Sequence, residues 1–324
     1  MTEPAKIAKT DKIIIAGGAG LVGQNLVLEL ENQGYSNLVV IDKNGPNLQI
    51  LKRRHPALVA CQWDLAEAGE WSAQFAGAAC LLMLQAQITG KNPEPFVRNN
   101  IDSTHLVLEA VREHAVPYIV HISSSVVNSV ADDEYTRTKA KQEDIVKQGG
   151  FRHCVLRPTL MFGWFDPKHL GWLARFMEKT PVFPIPGHGR YSRQPLYIRD
   201  FCKMIILCME TQPDGEVFDV VGDQYIDYVD IIRTIKKVKK LRTLIIHLPF
   251  WFFSLLMRSY AVFSKYPPFT NDQLIALTAG DDFKGVDTEQ VFGVKQMDFE
   301  AAMDETYNHP EHSKVILKRT GMAE

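Results

Sequence analysis

A chain of 324 residues, 46% apolar and 23% charged, has ordinary globular composition and is long enough for one large core or two lobes. Its formal charge of −2 supplies no basic field, which argues against a DNA or RNA partner. The five cysteines form no CxxC pair and no His/Cys cluster, so neither a disulfide scaffold nor a metal site is expected, and residues 1–11 are polar and read as a disordered leader of a cytoplasmic protein.

The run Lys12 to Ala16, with Ile13, Ile14 and Ile15 in succession, predicts a buried parallel strand. Gly17, Gly20 and Gly23 follow at a GxxGxxG spacing. Gly17 suits a sharp turn, Gly20 lets backbone N–H groups approach a pyrophosphate, and Gly23 lets the next helix pack closely on the sheet. That helix runs from Leu21 to Gln33, with Leu21, Val22, Leu26, Val27 and Leu30 at helical spacing. Its N-terminal N–H groups and partial positive charge suit phosphates. A second strand, Leu38 to Ile41, ends at Asp42, 19 residues beyond Gly23. A carboxylate there accepts from both ribose hydroxyls and repels a 2′-phosphate, which favours NAD over NADP, although Lys43, Arg53 and Arg54 leave room for that phosphate.

A third strand, Ala57 to Gln62, leads to Asp64 and Leu65, placed to flank an adenine. Ala78 to Leu84 and Pro117 to Ile122 are the fourth and fifth strands, with a helix from Phe96 to Glu113 carrying Asn99, Asn100 and Thr104 between them. The alternation predicts an α/β fold, a Rossmann-type doubly wound parallel sheet. Ser123, Ser124 and Ser125 follow the fifth strand, and a helix from Asp132 to Lys147 carries Tyr135 and Lys139. Four residues apart, they share a helix face, where an ammonium favours phenolate and lowers the tyrosine pKa. The expected organisation is an NAD-binding domain over residues 12–156, completed by a returning strand near 217–221, and a smaller, mostly helical substrate lobe over residues 157–324.

Together Ala16 to Gly23, Asp42, Asp64-Leu65, Asn100, Ser124, Tyr135, Lys139, Leu156-Arg157-Pro158 and Gly187 to Asp200 resemble the extended, in part atypical, short-chain dehydrogenase/reductase superfamily, in its NAD-dependent epimerase/dehydratase group. The resemblance implies that Gly17, Gly20, Leu21, Val22, Gly23, Asp42, Asp64 and Leu65 bind NAD, with Tyr135 and Lys139 also touching it. It implies catalysis by Ser124, Tyr135 and Lys139 with Asn100 nearby, and substrate binding by Ser124 and by Arg193, whose guanidinium suits a diphosphate. Tyr135 as phenolate would take a hydroxyl proton, Ser124 would steady the oxygen, and Lys139 would hold the nicotinamide ribose. The implied protein is a homodimeric epimerase or ketone reductase acting on a small-molecule substrate, a nucleotide sugar.

Several positions depart from that pattern. Ser125 and Val126 stand where dehydratases carry an acidic pair, which argues against a 4,6-dehydratase. Tyr135 follows Ser124 by only 11 positions, and Met83-Leu84-Gln85-Ala86-Gln87 replaces a His-Leu-Ala-Ala-like run. Leu160 occupies the place of a substrate asparagine, which with the aromatic stretch below favours an alternative: an NAD(P)-dependent reductase, dehydrogenase or isomerase for a lipid-like or steroid-like alcohol. Arg157-Pro158, Gln194-Pro195 and Phe269 to Leu274 resemble an atypical branch that includes the non-catalytic reductase-like subunit of respiratory complex I, so a cofactor-binding assembly subunit is a third reading. The stretch Leu244 to Phe263 is apolar and aromatic but broken by Pro249 and Arg258, too short a run to span a membrane. With Lys236, Lys237, Lys239, Lys240 and Arg242 before it, it either packs in the lobe or at a dimer interface, or makes a peripheral membrane contact through 236–263.

Overall fold

Three consecutive isoleucines set the centre of the first unit. Ile13, Ile14 and Ile15 of β1 (Lys12–Ala16) are each 0% exposed. β-Branched side chains fit a pleated surface covered on both faces, and burying each stabilises by roughly 1.5–3 kcal/mol. In the computed structural model, which describes residues 6–90, 92–129, 133–255 and 283–318, six more strands join β1 in one sheet. They are β2 (Leu38–Asp42), β3 (Val59–Gln62), β4 (Ala78–Met83), β5 (Ile119–Ile122), β6 (His153–Pro158) and β11 (Val217–Val220). The order is β11-β6-β5-β4-β1-β2-β3, and every pairing is parallel.

Parallel strands need crossovers, and helices supply them: α1 (Leu21–Asn32), α2 (Gly45–Arg54), α5 (Glu134–Gln148) and a continuous helical run over 94–113. That run consists of α3 (Glu94–Phe96), a π-helical turn at Val97–Asp102 and α4 (Ser103–Glu113). The chain winds outward from β1 to β3, then returns to β4 and winds the other way. The reversal falls between β1 and β4, and ligands of such sheets bind beyond the carboxyl ends of the strands at this point. The doubly wound reading of the sequence is therefore the observed fold.

Two differences from the sequence reading concern boundaries. The first unit comprises residues 1–159, 198–221 and 284–296, so besides the expected returning strand near 217–221 it takes in α7 (Ile198–Thr211) and residues 284–296. The reason is apolar: α7 packs along α1, burying Phe201, Cys202, Ile205 and Met209. Residues 7–11, expected as part of a disordered leader, are held in place. Ile7 is buried, Lys9 pairs with Glu210 at 2.8 Å, and Asp11 accepts from the Ala8 N–H at 2.7 Å.

The second unit comprises residues 160–197, 222–283 and 297–324. Three two-stranded ribbons mark it: β7 (Met161–Phe162) with β10 (Leu196–Tyr197), β9 (Ser192–Arg193) with β12 (Ile226–Asp227), and β8 (Val182–Pro186) with β13 (Leu244–Leu248). The helices α6 (Leu170–Lys179), α8 (Tyr228–Val238) and Phe299–Asn308 bury Leu173, Ile232 and Met303. Trp251 is 71% exposed, and Phe250, Phe252 and Leu255 are exposed beside it. Residues 256–263 of the aromatic stretch and the expected Phe269–Leu274 segment lie outside the described residues. Among the described residues no helix is long and apolar enough to cross a membrane.

One buried ion pair seats α5 on the sheet. Arg157 of β6 donates through Nη2 and Nε to the two oxygens of Glu143, at 2.6 and 3.0 Å, and Ser123 Oγ donates to the same carboxylate at 2.7 Å. Burial pushes the Glu143 carboxyl up, but Arg157 and Ser123 outweigh it and hold it below its ordinary value of 4.5. The stability it contributes is complete above that value and is lost as pH falls through the lower folded value. Removing one partner leaves a buried charge, so Arg157→Met is expected to cost about 3–5 kcal/mol in urea unfolding at neutral pH, and Arg157→Met with Glu143→Leu less than the single change.

Candidate active site

The turn after β1 is built for close approach. Gly17 has φ +78°, and a Cβ there would lie 2.5 Å from the Gln85 backbone at the end of β4. A Cβ on Gly23 would come 2.1 Å from the Gly18 carbonyl, so the tight contact is of α1 on its own turn and not on the strands, as the spacing had suggested. At Gly20 a Cβ would meet nothing within 4 Å. Gly20 is the N-cap of α1, no side chain caps that end, and no acidic residue lies in its first turn. The N–H groups of Leu21, Val22 and Gly23 are thus left at the positive end of a 12-residue helix beside open space, which fits a pyrophosphate.

Asp42 completes this half. Its Oδ2 accepts from the Ala19 N–H at 2.9 Å and its Oδ1 from the Asn44 N–H at 2.8 Å, so the turn and β2 fix the carboxylate. Burial pushes the Asp42 carboxyl up despite those two bonds, and two further donors, such as a ribose diol, would relieve that cost. The group NAD therefore fits the residues present. Asp64, expected to flank the adenine, is committed to protein partners: Oδ2 accepts from Arg98 at 2.6 Å and from Lys43 at 3.3 Å, and Oδ1 from the Ala66 N–H at 3.0 Å. Burial raises its carboxyl, but Ala66 and Arg98 outweigh it and hold it low. Leu65 is buried. Lys43, the cation nearest Asp42 in sequence, is tied to Asp64 and Asn99, not held ready for a 2′-phosphate.

Beyond β5, Ser124 caps a short 3₁₀ turn, Ser125–Asn128, and its Oγ accepts from the Val126 N–H at 3.4 Å. Its side chain bears on the phenol of Tyr135, on the first turn of α5, so the two hydroxyls converge. The direction of the Tyr135 shift is opposite to the expected one. Burial pushes the phenol up, Asp133 adds to it, and Ser124 opposes without reversing it. Lys139 is 1% exposed and donates from Nζ to the Ile122 carbonyl at 2.9 Å and to Gln142 Oε1 at 2.6 Å. Burial pushes its ammonium down to about 7, with Glu143 opposing.

Asn100 is fully buried in the π-helical turn and is used up within the protein. Its Oδ1 accepts from the Gln87 N–H at 2.6 Å, and its Nδ2 donates to the Gln87 carbonyl at 3.2 Å and to Thr138 Oγ1 at 2.9 Å. The carboxamide expected among the catalytic groups instead ties the segment after β4 to α5. Arg193 belongs to the second unit, where β9 pairs with β12 and Nη1 donates to the Ser192 carbonyl at 2.9 Å. Gln142 was missed by the sequence reading, although residues 135, 139 and 142 repeat on one helix face.

The glycines offer a clean comparison. Gly20→Ala is expected to leave stability within about 1 kcal/mol while weakening NADH binding about tenfold in a fluorescence titration. Gly23→Ala, which forces a backbone clash, is expected to lower the unfolding midpoint markedly.

Comparison with known proteins agrees with this geometry. A 4-hydroxy-2-methyl-3-oxo-4-farnesyl-3,4-dihydroquinoline-1-oxide ketoreductase of Stigmatella aurantiaca is 28% identical over 231 residues, 64% of this chain and 67% of that one. The decarboxylating sterol-4-alpha-carboxylate 3-dehydrogenase of Mus musculus is 24% identical over 273 residues, 76% of this chain and 73% of that one. Among solved structures, UDP-glucose 4-epimerase of Thermotoga maritima with UDP-glucose has a TM-score of 0.72 at 18% identity, covering 92% of this chain and 98% of that one. The Bordetella bronchiseptica enzyme WbmF with NAD+ has a TM-score of 0.73 at 16% identity, covering 92% of each chain. These two likenesses establish the fold. The model of the NAD dependent epimerase/dehydratase family matches residues 13–221, from β1 through β11 and well over half of the chain, and the protein belongs to that family.

Proposed function

We propose that this NAD-dependent family member interconverts a secondary alcohol and a ketone on a nucleotide sugar, with Ser124, Tyr135 and Lys139 at the reacting oxygen and Arg193 toward the diphosphate. The observation that carries the reading is Ser124 bearing on the Tyr135 phenol, with Lys139 on the same face of α5, beyond the carboxyl end of β5 in a unit whose glycine turn fits NAD. Bound there, NAD supplies the hydride acceptor or donor. The protein's own groups handle the proton and the charge on oxygen. Tyr135 is held as the neutral phenol by burial, so in the reducing direction it gives its proton to the oxygen of a carbonyl as that oxygen gains charge. Ser124 donates to the same oxygen. In the oxidising direction Tyr135 accepts the hydroxyl proton, with the nearby Lys139 ammonium offsetting the phenolate charge. Ser125 and Val126 put no carboxylate after Ser124, so the reading does not extend to 4,6-dehydration.

A second reading keeps the chemistry and changes the substrate. Leu160 and the two curated relatives named above, a ketoreductase and a sterol-carboxylate dehydrogenase, favour a lipophilic ketone or alcohol. A substrate panel separates them: UDP-, GDP- and dTDP-hexoses followed by chromatography of epimerised product, and hydroxysteroids and prenylated ketones followed by NADH absorbance. Turnover of a nucleotide sugar, weakened by Arg193→Met, supports the first reading, and turnover confined to the lipophilic set supports the second. For whichever substrate turns over, Tyr135→Phe is expected to lower kcat about 10²- to 10⁴-fold with NADH affinity unchanged. Unaltered turnover in Tyr135→Phe would remove the proposed mechanism.

A further inference from the structure

Among the described residues no carboxylate is bonded to Lys139. Glu143 is the acid that faces it from its own helix, and that carboxylate is already shared by Arg157, Ser123 and Lys147. From β5, His121 is fully buried, neither ring nitrogen has a partner, and burial and then Lys139 hold it neutral. Tyr135, one turn earlier on α5, is held as the phenol. The groups bonded to the ammonium are the Ile122 carbonyl and the Gln142 carboxamide.

Gln142 is itself 0% exposed and leaves no ambiguity about which end faces the lysine. Its Nε2 donates to Thr104 Oγ1 at 3.0 Å and to the Gln85 carbonyl at 3.3 Å. The Thr104 hydroxyl spends its hydrogen on the Asn100 carbonyl at 2.7 Å, so it can only accept from Gln142. A flipped amide would set Nε2 against the ammonium and Oε1 against the Gln85 carbonyl, two repulsive contacts. A three-step chain therefore runs from Lys139 through Gln142 and Thr104 to the π-helical turn at Asn100.

We propose that Gln142 is the positioning residue for Lys139: a neutral acceptor, locked by Thr104 and the Gln85 carbonyl, that aims the ammonium beyond β5 without supplying a counter-charge. A carboxylate in the same place would hold the lysine as firmly but keep it permanently ionised. An apolar side chain would leave it unaimed. The role rests on the reading of Lys139 under Proposed function, and its test has one arm that does not depend on that reading.

That arm is an NMR titration of protein labelled with ¹³C-lysine, the Lys139 resonance being assigned by its loss in Lys139→Met. The parent midpoint is expected near 7. Gln142→Glu is expected to raise it by at least about one unit, because the new carboxylate favours the ammonium. The second arm is NADH binding at neutral pH: Gln142→Met is expected to weaken it at least about tenfold, and Thr104→Val, which unlocks the amide without touching the lysine, by a smaller factor. Thr104→Val carries this arm if Gln142→Met does not fold. An unmoved lysine midpoint in Gln142→Glu, or NADH affinity unchanged in both other variants, would overturn the role. If the parent protein binds no NADH, the functional reading fails while the titration still decides the placement of Gln142.

Discussion

An ammonium taken out of water costs several kcal/mol unless its surroundings replace the lost hydration. Lys139 meets that cost with a carbonyl and a carboxamide, not with a carboxylate. Much of the arrangement on this side of the sheet follows from it. Among the described residues the carboxylate that bears on it, Glu143, is drawn off by the bidentate Arg157 and pins α5 to β6. The carboxamide that remains is held by Thr104, whose hydroxyl is fixed in turn by the carbonyl of Asn100. Burial lowers the Lys139 ammonium to about 7 and keeps the Tyr135 phenol protonated. Burial thus moves the lysine toward neutral pH and the tyrosine away from it.

The sheet explains why these groups meet. Because all seven strands are parallel, the segments that follow β1, β4 and β5 emerge on one edge. Gly17, Gln85 and Ser124 are the first or second residues beyond those strands, and the glycine turn brings the backbones of Gly17 and Gln85 against each other. The π-helical turn then lets Asn100 bond the backbone of Gln87 and α5 at once. The approach of Gly17 to Gln85 therefore tolerates no added side chain.

What local spacing specifies was readable in the chain. The strand and helix alternation, the glycine turn, Asp42 at the end of β2 and the helical register of Tyr135 and Lys139 all follow from short-range patterns. What depends on tertiary burial was not. A lysine four residues away is expected to acidify a tyrosine, yet burial pushes the Tyr135 phenol up, with Ser124 opposing. Asp64 is bound to Arg98, 34 residues distant, a pairing no local pattern announces. The return of α7 and residues 284–296 to the first unit is a matter of which apolar face finds α1 and the sheet. Gln142 is an intermediate case: its helical register marks it, but only the commitment of Glu143 to Arg157 shows why an amide stands there.

The most direct test of this account is a crystal structure of the protein with NAD bound. The pyrophosphate is expected on the N–H groups of Leu21 and Val22 above Gly20, the adenosine ribose hydroxyls on Asp42, and the remaining Lys139 hydrogen on the nicotinamide ribose, with the Gln142 bond intact. NAD seated without Asp42 and the α1 N-terminus, or a Lys139 turned away from the nicotinamide half, would contradict it.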